Sequence, residues 1–245
     1  MRRRAFTLIE LLTVMGILAI LMAIFAPAVV KTRGAATQFS AMQAIRQLMP
    51  ATSMYMADAD DRFPIAFHVS MDGPITWYGG LDPEGKVDPK RGLLAPYYGG
   101  RPSKDPTHRG KPWKGDMSGF GYNWGFLGSS YYYGWDRQDW YPTAMMSELS
   151  NPSHTIAFAT SAYYYAGWNN GDGLTYDYGY IDPPFAWNGA PTVDCRHMGE
   201  KRVVVEDKSV EATGNAIIVH ADGSAKTLRL GQIKNSMFER QPRDQ

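Results

Sequence analysis

The sequence predicts an α+β protein. A long N-terminal helix, transmembrane in its first half and amphipathic in its second, packs on a small antiparallel β-sheet head with long aromatic- and glycine-rich loops. Three observations predict this. From Phe6 to Val30 the only charged residue is Glu10. Helical periodicity then continues to Ala57. The clearest strand and hairpin signals fall in the last third of the chain, beyond a long stretch punctuated by Gly and Pro.

The first element is the apolar run. As a helix it rises about 1.5 Å per residue and is roughly 38 Å long. A bilayer's hydrocarbon core is about 30 Å thick, so the run spans it with some tilt. Arg2, Arg3 and Arg4 precede it. By the positive-inside rule they keep the N-terminus cytoplasmic and send everything after Val30 outside. Glu10 is the exception in the run. A carboxylate near the bilayer centre costs on the order of 2.5–3.5 kcal/mol, and the sequence offers it no obvious partner. Either it snorkels at the interface, or it awaits a cationic partner inside the membrane.

The second element is the helix beyond the run. Phe39, Met42, Ile45, Met49 and Met56 recur at helical spacing, with Gln38, Gln43, Arg46 and Gln47 between them. Residues 31–57 should therefore lay an apolar side on the head. Helix from Phe6 to Ala57 would be roughly 78 Å long. Pro27 should bend it, and Pro50 should kink or briefly break it.

The leader and the start of the run carry a resemblance. Ala5-Phe-Thr-Leu-Ile-Glu-Leu-Leu-Thr-Val14 resembles the cleavage and methylation segment of type IV prepilins and type II secretion pseudopilins. The resemblance implies a pilin-like fold and cutting by prepilin peptidase between Ala5 and Phe6. It implies methylation of the new amine, with Glu10 as the assembly residue five positions into the mature chain. The family usually has Gly before the cut where this chain has Ala5. Residues 1–5 are then the leader, 6–30 the transmembrane and filament-core helix, 31–57 its amphipathic continuation, and 58–245 the extracytoplasmic head. The implied place is the inner membrane, single-pass, with a periplasmic head and, after assembly, a filament or the cell surface. The implied partners are the peptidase, other pilin subunits, an inner-membrane assembly platform and membrane lipid. Two other export readings use the same residues. Arg3-Arg4-Ala5-Phe6 is similar to a twin-arginine signal, and Ala26-Pro27-Ala28 to a signal-peptidase site. Both leave Glu10 unexplained.

Composition narrows the function classes. The 245-residue chain carries a net charge of +1, which gives no broad attraction to nucleic acid or acidic membranes. Its one cysteine, Cys195, excludes an intramolecular disulfide. That thiol is either a small buried hydrophobe or a reactive group.

In the head, Asp58, Asp60 and Asp61 follow the helix. They either offer oxygen ligands to Ca2+ or make a solvated turn whose side chains cap backbone amides. The run lacks the glycine and distal Glu of an EF-hand loop, and no cofactor is otherwise implied. Residues 65–150 are loop-rich and aromatic: Trp77, Tyr78, Tyr97, Tyr98, Trp113, Phe120, Tyr122, Trp124, Phe126, Tyr131 to Tyr133, Trp135, Trp140 and Tyr141. Buried, they staple irregular loops. Exposed, they suit stacking on glycans or on an exported protein. Strands are expected at Thr155–Ala159 and Arg202–Glu206, with a hairpin over Asn215–Leu228 turning at Asp222-Gly223. A short helix is expected over Ile233–Arg240.

The head also resembles a subgroup of prepilin-like proteins of planctomycete-type bacteria, marked by a His…Asp-Gly segment. The matching residues are Arg196-His197, Asn215 to Gly223, Asn151 to Ile156, Leu94 to Tyr97 and Gly121 to Asn123. Residues 198–214 read as an insertion between those marks. His197, His220 and Asp222 invite a metal or catalytic role, or else serve turn and hydrogen bond. No nucleophile–base motif, phosphate loop or paired zinc ligands occur. The expected function is that of a structural filament subunit, not an enzyme. The alternative is an anchored or filament-displayed binding module.

Overall fold

A computed structural model describes residues 7–84, 86–100, 104–108, 118–129, 143–164, 175–187, 192–199, 203–204 and 210–241. The leader and Phe6 lie outside them. Helix α1 runs Leu8–Arg46, and α2 runs Leu48–Asp58. α1 continues through Pro27. The chain breaks at Gln47, because Pro50 has no N–H to give the carbonyl of Arg46, four residues back. Pro50 itself sits in the first turn of α2, where a missing donor costs least.

The second half of the helix buries Ala41, Ala44, Ile45, Leu48, Met49 and Met56. Phe39, expected on that face, is 65% exposed. It lies about 200° around the helix from Ala41, so both cannot face the head. The alanines win the contact because small side chains let the helix approach the sheet.

Four short strands follow: β1 (Phe67–Ser70), β2 (Gly73–Thr76), β3 (Gly80–Leu81) and β4 (Val87–Asp88). They form an antiparallel meander in that order. Sequence reasoning missed this sheet. Its strands are two to four residues long and include Gly73-Pro74 and Gly80, residues that weaken any strand signal. A single-turn helix, α3 (Ala95–Tyr98), closes the segment.

The central sheet takes β5 (Phe120–Tyr122) and β6 (Ile156–Thr160) from mid-chain. Next come two small pairs, β7 (Tyr163–Tyr164) with β8 (Thr175–Tyr176), and β9 (Val203–Val204) with β10 (Val210–Glu211). The hairpin β11 (Asn215–His220) and β12 (Ala225–Arg229) completes the sheet in the order β12-β11-β6-β5. Strand β6 falls within one residue of its expected span. Of the expected strand Arg202–Glu206, the described residues are Val203 and Val204, both in β9.

Strand β11 explains why the head has two cores. Alternate residues point to opposite faces. Ile217 and Val219 join the cluster containing Ile45, Leu48 and Phe158. Ala216 and Ile218 join Phe126, Ile233, Met237 and Phe238. Helix α1 lies across β11 and β6 on the first face. The C-terminal segment covers the second.

Two expectations for this region change. The hairpin turn uses a left-handed residue at Gly223 (φ 85°), and Asp222 is not left-handed. His220 N–H donates to Ser224 O (2.8 Å) and Gly223 N–H to His220 O (2.9 Å). This is a three-residue loop with Gly at the left-handed position, not a two-residue turn. The expected C-terminal helix is instead a pair of 3-10 turns, Leu230–Gln232 and Asn235–Met237. Asn123 Nδ2 donates to Phe238 O (2.8 Å), and Ser150 N–H donates to Arg240 O (3.0 Å). Those carbonyls are thus taken up by the sheet side of the molecule.

The described aromatics mostly serve as staples. Trp77, Phe120, Tyr122, Phe126 and Phe158 are fully buried, and Tyr78 nearly so. Tyr122 OH donates to Pro64 O (2.9 Å), and Trp124 Nε1 to Asp182 (2.7 Å). Trp113, Tyr131 to Tyr133, Trp135, Trp140 and Tyr141 lie outside the described residues.

This packing makes a contrast that denaturant unfolding can check on the head from Gly34 onward, a fragment expected to be a soluble monomer. Phe158→Ala should cost about 3–5 kcal/mol, the usual cost of emptying an aromatic core site. Phe39→Ala should change stability by less than about 0.5 kcal/mol, as for an exposed site. Equal losses would place Phe39 in the core.

Candidate functional site

The first candidate is the start of α1. Thr7 caps the helix and Glu10 is its third residue. Thr7 N–H donates to Glu10 Oε2 (2.8 Å), and the Thr7 hydroxyl donates to the same oxygen (2.7 Å). Glu10 N–H returns a bond to the Thr7 hydroxyl at 3.3 Å. This is a reciprocal capping box. Glu10 thus has a neutral hydrogen-bonding partner in its own chain. The signal was legible, because Thr-x-x-Glu before an apolar run is the pattern such a box requires. Around it the helix has nothing to pack on. Leu8 is 81% exposed and Val30 71%, and every residue from Thr7 to Arg33 is exposed. The helical stretch from Leu8 is long and apolar enough to cross a membrane. Ala5 and Phe6 lie outside the described residues.

The second candidate is the acidic turn. Asp58 ends α2 and accepts a hydrogen bond from Tyr97 OH (2.8 Å). Asp60 (φ 51°) and Asp61 (φ 60°) are left-handed, and Asp61 N–H reaches back to Met56 O (2.9 Å). The turn is made by backbone geometry that Asp tolerates better than most residues. Among the described residues, no group of three or more His, Cys, Asp or Glu side chains is placed to hold a metal ion.

His197, His220 and Asp222 are not brought together. His197 pairs with Asn215, the first residue of β11. His220 is its last residue. Five residues of strand separate the two levels by about 17 Å. Both histidines are buried. Burial, aided by Lys226, pushes His220 below its usual range, against the pull of Asp222. Asp222 serves the turn, where its Oδ1 accepts from Ser224 N–H (2.9 Å). Cys195 is buried in the second core cluster, in keeping with a small hydrophobe.

What the structure assembles instead is a buried ion network that sequence reasoning missed. Arg196 Nη2 meets Asp105 at 2.8 Å, and its Nη1 meets Asp194 at 2.7 Å. The guanidinium also donates to Gly119 O (2.6 Å) and Ser161 O (3.0 Å). His197 Nε2 lies 3.1 Å from Asp105 Oδ2, and Thr107 supplies two donors to Oδ1. His108 Nε2 sits 3.2 Å from Asp177. Burial would raise the Asp105 carboxyl, but His197, Arg196 and Thr107 together hold it well below the usual carboxylate range. Burial and the neighbouring Arg196 charge push His108 from 6.5 down to about 4. The network joins residues 91 positions apart. It ties loops to Gly119 and Ser161, beside β5 and β6.

Residues 1–26 match the prokaryotic N-terminal methylation motif. The chain therefore carries the prepilin-type cleavage and methylation segment. That segment and the N-terminal apolar helix point to membrane anchoring. No curated protein and no solved structure matches the chain.

Two measurements on the head follow. His108 binds its proton less readily folded than unfolded, so its contribution is complete above about pH 6.5 and lost as pH falls toward 4. The loss should be on the order of 2–3 kcal/mol by linkage. Thermal unfolding across that window should show it, and His108→Gln should make it shallower, leaving the part due to His220. The Asp105 contribution lies lower still and should survive that change. A His108→Gln curve as steep as wild type would refute the assignment. Millimolar Ca2+ should leave the melting temperature unchanged, and so should Asp60→Asn. A rise that Asp60→Asn abolishes would make the turn a calcium site.

Proposed function

We propose that this chain is a structural subunit of a type II secretion pseudopilus or a type IV pilus-like filament. It is inserted with its N-terminus cytoplasmic, cut by prepilin peptidase before Phe6, and assembled through α1. The observation that carries this reading is the methylation motif at residues 1–26 on a helix whose apolar first half, up to Arg33, is exposed along its whole length. Such a helix needs lipid or other helices around it. A role in assembly, not catalysis, follows from the same feature. Among the described residues, Trp77, Tyr78, Phe120, Tyr122 and Phe126 are buried, which withdraws those rings from any glycan-binding surface.

Glu10 is the assembly residue in this reading. Thr7 satisfies one of its oxygens while the subunit stands alone. Cleavage creates an amine at Phe6 in the same layer. In a filament, an incoming subunit's amine can meet Glu10 of one already placed. Such a pair is far stronger in low dielectric than in water, and it removes the penalty of two bare charges. It also sets the axial register, which uniform apolar packing cannot.

N-terminal mass spectrometry of protein from its native host should find Phe6 as the first residue, N-methylated. Cleavage after Ala28 would end the filament reading. Glu10→Leu should insert and be cut like wild type, since a costly charge is gone. It should be depleted from sheared filaments and remain in the membrane pool. Equal partition of variant and wild type would remove Glu10 from assembly.

A further inference from the structure

One corner of the head meets the helix just where the helix leaves its apolar run. The run ends at Val30, and Lys31 and Arg33 follow, both exposed. At Gly34 an added Cβ would lie 3.0 Å from the Sδ of Met198. Met198 therefore rests on the helix one turn past the run. It is 49% exposed and holds a left-handed backbone (φ 56°). The His197–Asn215 bridge holds it from one side, and the close approach of Gly199 to Gly214 from the other.

Helix rise converts this into depth. Leu11 to Val30 measures about 30 Å, the thickness of a hydrocarbon core. Glu10 then sits at the cytoplasmic edge and Lys31 at the outer edge. Gly34 lies about 6 Å beyond Val30. Each interfacial layer is roughly 5–7 Å deep. A methionine at that level presents a flexible apolar side chain to the boundary between headgroups and acyl chains. Lys31 and Arg33 stand beside it, where anionic headgroups attract cations.

We infer that the Met198 corner is a membrane contact. In the unassembled subunit it rests in the outer headgroup layer, and Lys31 and Arg33 hold anionic lipid beside it. The inference rests on the reading that α1 spans the membrane. Its consequence is that the head has a set orientation on the bilayer before assembly, and that drawing the helix into a filament must lift this corner off lipid.

The test uses the full chain in nanodiscs containing anionic lipid. A nitroxide is placed at Met198→Cys in a Cys195→Ala background. Companion labels go at Met54→Cys, about 36 Å beyond Val30 along the helix, and at Ile17→Cys inside the run. A nickel chelate anchored to lipid headgroups should relax the label at 198 several-fold more than the label at 54. A benzophenone side chain at 198 should also crosslink to lipid. With the label at 17 shielded in the bilayer, equal relaxation at 198 and 54 and no lipid adduct would overturn the contact while leaving the spanning helix intact. A label at 17 open to water would sink the spanning helix and the contact together. The Lys31→Gln, Arg33→Gln double variant should lower relaxation at 198 in anionic discs only, and no change there would overturn the role given to the two cations.

Discussion

A helix whose first half buries no apolar face in its own chain is the constraint on which the rest of this structure depends. From Thr7 to Arg33 every residue is exposed, and most of them are aliphatic. Water cannot be the intended surroundings of such a surface. The head is built to hold this helix by its far end alone. Ala41, Ala44, Ile45, Leu48 and Met49 bind it to β11 and β6, and nothing in the described head reaches below Gly34 to cover more. The anchoring is thus strong at one end and absent at the other, which leaves the apolar half available to lipid or to other helices.

The head meets that demand by making β11 a strand with two buried faces. One face takes the helix, and the other takes the C-terminal segment with Ile233, Met237 and Phe238. Neither cluster stands without the strand between them. The flanking loops are long and carry little regular structure, so they are tied down by other means. Aromatic side chains fill space and bond to backbone, as Tyr122 does to Pro64. The Asp105–Arg196–Asp194 network fixes the loops at the β5 edge through charge. A buried ion set of this kind adds little net stability over apolar packing. It does penalise any arrangement that leaves one member bare, so it selects one loop arrangement over others.

Glu10 shows how a polar group is tolerated in an apolar helix. Thr7 supplies both an N–H and an O–H to one carboxylate oxygen. Desolvation is thereby offset locally, without a counter-charge. The carboxylate lies in the first turn of the helix, where the helix dipole favours negative charge. A cationic partner then has a formed and oriented acceptor to meet.

The sequence by itself determined what short-range periodicity can encode. The apolar helix, its interruption by Pro50, strand β6 and the β11–β12 hairpin were all legible, because each depends on residues within a few positions of one another. The capping box of Thr7 and Glu10 was equally local and could have been read. Tertiary structure alone decided the rest. Phe39 turned outward because the sheet met the alanine side of the helix. His197 and His220 were separated because one pairs with the start of β11 and the other ends it. The meander at residues 67–88 formed from strands too short, and too rich in Gly and Pro, to announce themselves. Asp105 found Arg196 across 91 positions. No periodicity spans such a distance, since which segments meet is settled by how the sheets and the helix pack together.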